Sequence, residues 1–319
     1  MSPATPRTRP DAVRASTAPP LADAMAAGPV LLDGGLSNQL EAAGHDLSDA
    51  LWCARLLADR PRALVEAHLA YLRAGARVVT TASYQASFEG FARRGLDARQ
   101  SADLLRRSVA LGHAAARRVA EDGDARARWV AASVGPYGAV LADGSEYRGR
   151  YGKTLAQLES FHGPRVEALT AAAPDVLAFE TVPDLDEARA LIGLVRGSGI
   201  ACWLSYSVAG GRTRAGQPLD EAFAVAADVP EVIAVGVNCC APEDVDLAVP
   251  LAAQVTGKPV VAYPNSGERW DDSARRWRGP ARFDPRRVTA WVSGGARLIG
   301  GCCRIGPEDI KAIDAALHA

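Results

Sequence analysis

The chain has 319 residues, and its 36 lysines and arginines nearly balance its 37 aspartates and glutamates, which leaves a formal net charge of −1. A chain so close to neutral has no electrostatic reason to bind nucleic acid or anionic lipid. No stretch approaches the roughly 18 consecutive apolar residues of a membrane-spanning helix. The composition therefore favours an enzyme acting on small molecules over a nucleic-acid-binding or membrane protein.

The N-terminal segment, residues 1–28, is rich in proline, alanine, threonine and arginine and has no hydrophobic periodicity. It also lacks the compact apolar stretch of a secretory signal peptide. Its arginines leave a targeting role open, although its aspartates and prolines argue against an amphipathic transit helix. We expect a disordered leader over residues 1–28, a single folded domain over residues 29–319 and a cytoplasmic location.

Eight short apolar runs follow this leader, each continuous rather than alternating with polar residues, as is typical of buried parallel strands. They predict strands at residues 30–32, 78–80, 129–131, 176–178, 201–204, 232–235, 259–262 and 297–299. Helical periodicity predicts helices between residues 61 and 75 and near residues 98–121, 154–172, 184–196, 219–227, 243–256, 284–293 and 307–317. Eight such pairs predict an α/β fold, a (β/α)8 TIM barrel in a single domain.

A doubly wound open sheet is the structural alternative. That fold usually carries a G-x-G-x-x-G phosphate turn after its first strand. The first predicted strand is followed instead by D-G-G-L-S at residues 33–37. The barrel is the better prediction.

Polar residues follow the predicted strands. Active sites of such barrels lie at the carboxyl ends of the strands, so we expect these side chains to surround one site. In chain order they are Asp33, Thr81 with Ser83, Ser133, Glu180, Ser205, Asn238 with Cys239, Tyr263 with Asn265, and Cys302 with Cys303.

Three cysteines are the most informative of these residues. Cys239 follows the sixth predicted strand, and Cys302 and Cys303 follow the eighth. Three protein ligands with an open fourth position are typical of a catalytic zinc site, whereas a structural site is normally closed by four. Free cysteines are often only small buried hydrophobic residues, but an adjacent pair at a strand end fits that alternative poorly. The sequence predicts Zn²⁺ bound by Cys239, Cys302 and Cys303.

The other cysteines and the five histidines are assigned no part in the chemistry. Cys240 is left out of the metal site, and Cys53 and Cys202 lie in apolar surroundings. No histidine falls at a strand end, so the histidines are expected to be surface or structural residues. Zinc held by three thiolates suits an incoming thiol better than water.

Asp33 and Glu180 are candidates for binding the ammonium group of an amino-acid substrate. Each carboxylate alone is equally well explained by a salt bridge or a helix cap. The turns at residues 135–138 and 264–267 are expected to supply backbone amides to a substrate carboxylate.

Longer motifs carry a family resemblance that covers nearly the whole chain after the leader. They are L-D-G-G at 32–35, T-A-S-Y-Q-A at 81–86, S-V-G-P-Y-G at 133–138, D-G-S-E-Y-R-G at 143–149, F-E-T at 179–181, G-V-N-C at 236–239, Y-P-N-S-G-E at 263–268 and G-G-C-C-R at 300–304. With them the chain resembles the homocysteine S-methyltransferases, and it is similar to betaine-homocysteine methyltransferases and to the homocysteine domain of cobalamin-dependent methionine synthase.

The resemblance implies zinc ligation by Cys239, Cys302 and Cys303 and homocysteine binding by Asp33, Ser83, Glu180 and Asn238. It also implies that homocysteine thiolate on zinc takes a methyl group from S-methylmethionine, or less readily from S-adenosylmethionine, to form methionine. The partners expected are therefore homocysteine and a sulfonium methyl donor.

Three alternatives stay open at this point. Betaine or a methylated cofactor is the nearest rival donor. The three thiols could instead form a zinc store or a redox sensor, and the barrel could bind amino acids without catalysis. The oligomeric state and the donor preferred in the cell are not determined by the sequence.

Overall fold

The computed structural model describes residues 18–49, 51–271 and 276–318, and eight parallel strands form its main sheet. Each strand pairs in parallel with its neighbours around the sheet, and the first pairs with the last. The strands are β1 Val30–Leu31, β2 Val78–Thr80, β3 Trp129–Val134, β4 Val176–Val182, β5 Cys202–Tyr206, β6 Val232–Asn238, β7 Val260–Tyr263 and β8 Ala296–Ile299.

The two edges of this sheet meet at β1 and β2. A parallel bridge joins Leu32 to Val78, and the amide of Arg77 donates to the carbonyl of Leu31. The sheet is thereby curled into a barrel with helices outside it. The predicted (β/α)8 TIM barrel is confirmed, and all eight predicted strands are present.

Helices surround the barrel and fill the predicted intervals. None of the helices in the described part of the chain is long and apolar enough to cross a membrane. The helices are α1 Leu21–Ala27, α2 Leu36–Ala42, α3 Leu56–Asp59, α4 Pro61–Arg73, α5 Phe88–Ala92, α6 Ala98–Glu121, α7 Tyr137–Leu141, α8 Leu155–Thr170, α9 Leu185–Val195, α10 Leu219–Ala224, α11 Pro242–Thr256, α12 Arg287–Ser293 and α13 Pro307–Leu317.

Shorter elements lie within the loops. Turns of 3₁₀ helix span Trp52–Arg55 and Ser145–Tyr147. Val208–Ala209 pairs with Arg212–Thr213 in one small hairpin, and Arg269–Asp271 pairs with Arg276–Arg278 in another. These elements lie outside the eight repeating units.

The core has two layers because successive strand residues point to opposite faces of the sheet. Residues of one face fill the barrel interior, and residues of the other pack beneath the helices. Two tryptophans, Trp129 and Trp203, are the largest side chains of the interior layer, and both are buried. The barrel is therefore a packed core, as is usual for this fold.

Helix α1 closes the amino-terminal end of the barrel. Leu21 and Met25 lie one turn apart, are 3% and 1% exposed, and belong to the interior cluster. The indole Nε1 of Trp129 donates to the carbonyl oxygen of Pro19 at 2.7 Å. The predicted disordered leader is therefore wrong for residues 21–27, whereas residues 1–17 lie outside the described residues. Two core residues among prolines are too few to produce a recognisable helical pattern.

We predict that Leu21→Ala lowers the free energy of unfolding by about 2 to 4 kcal/mol, because it leaves a cavity at the closed end of the barrel. Urea titration followed by circular dichroism measures this loss. The matched control is Leu247→Ala, since Leu247 is 61% exposed, and its effect should stay within about 0.5 kcal/mol. Equal losses in the two variants would contradict the role assigned to α1.

Candidate active site

Three cysteine thiols meet at the carboxyl ends of β6 and β8. The Sγ atoms of Cys239, Cys302 and Cys303 lie within 4.8 Å of one another, and those of Cys239 and Cys303 are 3.6 Å apart. Sulfur ligands about 2.3 Å from a tetrahedral zinc ion lie roughly 3.8 Å apart. The distances between the three thiols therefore suit one metal ion that prefers sulfur ligands.

The three thiols are unequal in exposure and in acidity. Cys239 is buried, while Cys302 and Cys303 are partly exposed. The hydrogen bond from Cys302 lowers the pKa of Cys239, and hydrogen bonding to Cys239 raises the pKa of both Cys302 and Cys303. Hydrogen bonding within the cluster therefore favours the thiolate form of Cys239.

The pair Gly300-Gly301 explains how β8 delivers its two cysteines. A Cβ on Gly300 would come 2.6 Å from the Cβ of Leu32, and one on Gly301 would come 2.1 Å from the side chain of Ile305. Only glycine permits so close an approach to the first strand. The chain then turns, and the amide of Cys302 donates to the carbonyl of Pro264 at 2.8 Å.

Cys239 itself has a strained backbone with a φ of 49°. Left-handed φ values are uncommon outside glycine and occur often at functional sites. Its amide donates to the carbonyl of Tyr263 at 3.2 Å, and its own carbonyl accepts from the hydroxyl of Ser207 at 3.2 Å. These bonds hold the thiol at the end of β6 in one orientation.

Glu180 lies near the end of β4 with both carboxylate oxygens hydrogen-bonded. The hydroxyl of Ser133 donates to Oε1, and the phenol of Tyr263 donates to Oε2 at 3.1 Å. Burial raises the pKa of Glu180 to about 7, against this hydrogen bonding. A cation placed beside this carboxylate would favour its ionised form.

Asp33 lies just beyond β1 and is held by a single neighbour. The amide of Thr80 donates to Oδ2 at 2.7 Å, and the hydroxyl of Thr80 donates to Oδ1 at 2.9 Å. Burial raises the pKa of Asp33 to about 8, and the charge of Glu180 adds to this shift. The two carboxylates are therefore close enough to sense each other's charge.

Asn238 connects the carboxylate side of the rim to the thiol side. Its Oδ1 accepts from the amide of Thr181 at 2.7 Å and from the hydroxyl of Ser205 at 2.8 Å, and its Nδ2 donates to the Thr181 hydroxyl at 2.8 Å. Thr181 has a φ of 59°, which is rare for a β-branched residue. The amide of Asn238 thus holds the residue that follows Glu180, next to Cys239.

Ser83 is buried near the start of the loop that follows β2. Its hydroxyl donates to the carbonyl of Ser133 at 2.7 Å and lies 2.7 Å from the hydroxyl of Thr81. The one proton of this hydroxyl is therefore used within the barrel. The structure brings Asp33, Glu180, Asn238 and the thiols to one rim, and it gives Ser83 a role in joining β2 to β3.

Comparison with known proteins agrees with this geometry. The family model described as homocysteine S-methyltransferase matches residues 30–317. This chain belongs to the homocysteine S-methyltransferase family. The predicted family and the predicted class of thiol methyltransferase are confirmed.

Named relatives match this methyltransferase over nearly their full lengths. Homocysteine S-methyltransferase 4 of Zea mays is 45% identical over 92% of this chain and 90% of its own length. Homocysteine S-methyltransferase of Escherichia coli (strain K12) is 44% identical over 90% of this chain and 94% of its own. A crystal structure of the metallated form of the Escherichia coli homocysteine methyltransferase MmuM superposes with a TM-score of 0.82, at 43% identity over 90% of this chain and 96% of that one.

The structure of the methyltransferase adds two residues that the sequence assigned no role. The phenol oxygen of Tyr147 lies 3.1 Å from the Sγ of Cys239, and the guanidinium of Arg214 lies over the Tyr147 ring, 5.5 Å from its centre. Arg214 also donates to the hydroxyl of Ser207 at 3.2 Å. The motif D-G-S-E-Y was the one available signal, and it does not reveal that this loop crosses to β6.

One expectation needs correction, namely that the turns at residues 135–138 and 264–267 supply backbone amides to a substrate carboxylate. The amide of Tyr137 donates to Glu187 at 2.5 Å. The amide of Asn265 donates to the carbonyl of Cys240, and the amide of Ser266 donates to the carbonyl of Cys303. These amides are used inside the methyltransferase, so the expectation is wrong for them. Cys240 is fully buried in the apolar core and lies outside the thiol cluster.

We predict that Glu180→Gln stabilises the metal-free protein at neutral and higher pH. Since burial raises the pKa of Glu180 from 4.5 to about 7, the native protein loses stability as the pH rises through this window. Glutamine does not titrate, so the variant should be more stable by up to about 3 kcal/mol at pH 8 and should lose this advantage near pH 4.5. Urea titrations across this pH range measure the difference.

The matched control is Glu167→Gln, because Glu167 is exposed on α8. This variant shows what the loss of one exposed carboxylate does, and the stabilisation of Glu180→Gln at pH 8 should exceed it. A constant offset for Glu180→Gln over the same range would show that Glu180 is not desolvated as described.

Proposed function

We propose that this methyltransferase transfers a methyl group from S-methylmethionine to the thiol of homocysteine and releases two molecules of methionine, with S-adenosylmethionine as a lesser donor. The observation that carries the proposal is the meeting of three thiols and two buried carboxylates at one barrel rim. The thiols suit activation of a thiol, and the carboxylates suit an amino-acid ammonium group.

We propose zinc as the metal, held by Cys239, Cys302 and Cys303. Thiolates select soft or borderline metals, and zinc is the usual partner of such a cluster. When bound, zinc supplies a Lewis acid that makes an incoming thiol more acidic. Tyr147 touches Cys239 through its phenol, and it therefore shapes the space beside the thiols where the substrate sulfur must lie.

Asp33 and Glu180 bind the ammonium group of homocysteine in this proposal. Both carboxylates are buried, with 3% and 7% exposure, and an ammonium group would offset the cost of ionising them there. Ser133 and Tyr263 hold the carboxylate of Glu180, while Asn238 fixes the neighbouring backbone. Ser83 contributes by joining the ends of β2 and β3.

The leaving group favours a sulfonium donor over betaine. Methyl transfer from a sulfonium releases a neutral thioether, which needs no proton. Methyl transfer from betaine releases a tertiary amine, which is a poorer leaving group. Within the described residues the buried histidines, His68, His113 and His162, lie on the outer helices rather than at the thiol cluster. Catalysis then depends on activating the thiol and aligning the donor.

We also place the enzyme in the cytoplasm. All six cysteines are free thiols. Two thiols as close as those of Cys239 and Cys303 need a reducing compartment to remain available to a metal. Expression with a fluorescent tag tests this location.

The proposed reaction is tested with purified, zinc-loaded protein, homocysteine and one donor at a time. We expect methionine to form with S-methylmethionine, more slowly with S-adenosylmethionine, and least with betaine. Chromatography of the products measures the three rates. Fastest turnover with betaine would replace the proposed donor, and zinc binding without turnover on any donor would replace catalysis with metal storage or sensing.

Adjacent cysteines provide a sharp test of the metal site. We predict that Cys239→Ala loses the metal and the activity while the barrel remains folded, because a rim site contributes little to the core. Cys240→Ala should retain about one zinc per chain and most of the activity. Metal content by atomic emission and folding by circular dichroism measure both effects. Retention of zinc by Cys239→Ala would remove that residue from the proposed ligands.

A further inference from the structure

A buried arginine ties two loops of the active-site rim together. Arg165 lies on α8, is fully buried, and reaches the carbonyl oxygens of residues in the loops after β2 and β3. Its Nη1 donates to Gly135 at 3.0 Å, and its Nη2 donates to Tyr84 at 2.9 Å and more weakly to Ser83 at 3.4 Å. One guanidinium therefore bridges the two loops, as its planar fork allows.

The same helix turn makes a second tie to the loop after β3. His162 lies three residues before Arg165, and its Nε2 is 2.9 Å from Glu187 Oε1. That oxygen also accepts from the amide of Tyr137. Since residues three apart lie on one helix face, α8 presents His162 and Arg165 together to the rim.

This arrangement is costly for the fold. A fully buried guanidinium loses its hydration, and the Nε of Arg165 has no hydrogen-bond partner. Neighbouring positions of α8, such as Leu158, Val166 and Leu169, are apolar and buried. An apolar residue at position 165 would serve packing at lower cost, so the bonds to the loops are the feature that explains an arginine here.

The two loops form the part of the rim that faces the thiols. The loop after β3 reaches the thiols, because the phenol oxygen of Tyr147 lies 3.1 Å from the Sγ of Cys239. Tyr84 belongs to the neighbouring loop, after β2. Its ring and carbonyl press against Gly135, where an added Cβ would come within 2.6 Å of them. Fixing the backbone of Tyr84 and Gly135 therefore fixes the wall opposite β6 and β8.

We propose that Arg165 is a positioning residue for the methyl donor, which it aligns by holding the loops after β2 and β3 at a set separation. This inference rests on the proposed methyl transfer. Homocysteine is placed by the thiols and by the carboxylates on β1 and β4. The donor methyl must approach the substrate sulfur from the remaining wall, and that wall is the one held by Arg165.

The test compares Arg165→Met and Arg165→Lys with the native zinc-loaded protein. A matched control is Arg77→Met at the opposite end of the barrel. Arg77 also donates to a backbone carbonyl, that of Ala127 at 2.5 Å, and lies 5.4 Å from the ring centre of Trp129. Arg165 lies 5.4 Å from the ring centre of Phe161 in the same way.

Zinc content, the melting temperature, and kcat and KM for each substrate are measured below the melting temperature of each variant. In Arg165→Met we expect kcat/KM for the sulfonium donor to fall about 10- to 100-fold. Zinc content and KM for homocysteine should stay within about threefold of native values, since the three thiols and the two carboxylates proposed to bind them lie on β1, β4, β6 and β8. The kcat/KM of Arg165→Lys for the sulfonium donor should lie between those of the native protein and Arg165→Met, because an ammonium keeps the charge without the planar fork. Arg77→Met should lower only the melting temperature.

Native kcat/KM for the donor in folded Arg165→Met and Arg165→Lys would overturn the inference. A loss that follows zinc content, or one that Arg77→Met shares, would also overturn it, because either result indicates a general structural role. If Arg165→Met does not fold, Arg165→Lys decides the question on the same measurements. Absence of turnover in the native protein would instead refute the proposed function itself, and with it the inference.

Discussion

The junction of β1 and β2 is the contact on which the rest of the site depends. Leu32 bridges to Val78 there, and the amide of Asp33 donates to the carbonyl of Val78 at 3.0 Å. The side chain of the same Asp33 then accepts from both the amide and the hydroxyl of Thr80. Closure of the barrel and placement of the Asp33 carboxylate are therefore achieved by one continuous set of hydrogen bonds. A sheet with open edges would leave Asp33 without its partner and the thiols without an opposite wall.

Burial of the carboxylates in the closed rim explains their chemistry. Burial raises the pKa of Glu180 to about 7 and that of Asp33 to about 8, although each accepts two hydrogen bonds. Burial is thus electrostatically unfavourable for these carboxylates in their ionised form, and a cationic ligand relieves that condition. Stability and binding oppose each other at these positions, as they often do in active sites. The strained backbones of Thr181 and Cys239 fit the same pattern, because the hydrogen bonds of Asn238 and Tyr263 hold them in place.

Much of this could be predicted from the sequence because buried parallel strands leave a local signal. Continuous apolar runs located the eight strands, and the polar residue after each run located the rim. The meeting of the three thiols followed from cysteines at two strand ends. Helix α1 was missed because its two core residues produce no periodicity, and the contact of Tyr147 with Cys239 was missed because 92 residues separate them. The backbone amides at residues 137, 265 and 266 looked free in sequence, but their partners come from other parts of the chain.

In the proposed reaction, the barrel separates the tasks of the two substrates around its rim. Thiols on β6 and β8 face the loops after β2 and β3, while carboxylates on β1 and β4 lie between them, so each substrate can be held by its own part of the rim. Such a division matters because methyl transfer needs the sulfur, the methyl group and the leaving group in line, and the rate falls steeply with misalignment. Loops alone position groups poorly, since they are more mobile than the elements that they connect. Arg165 is a charged residue that reaches from an outer helix to loop carbonyls. It ties the loops that form this wall to the more rigid layer of helices, and this requires burying a cation.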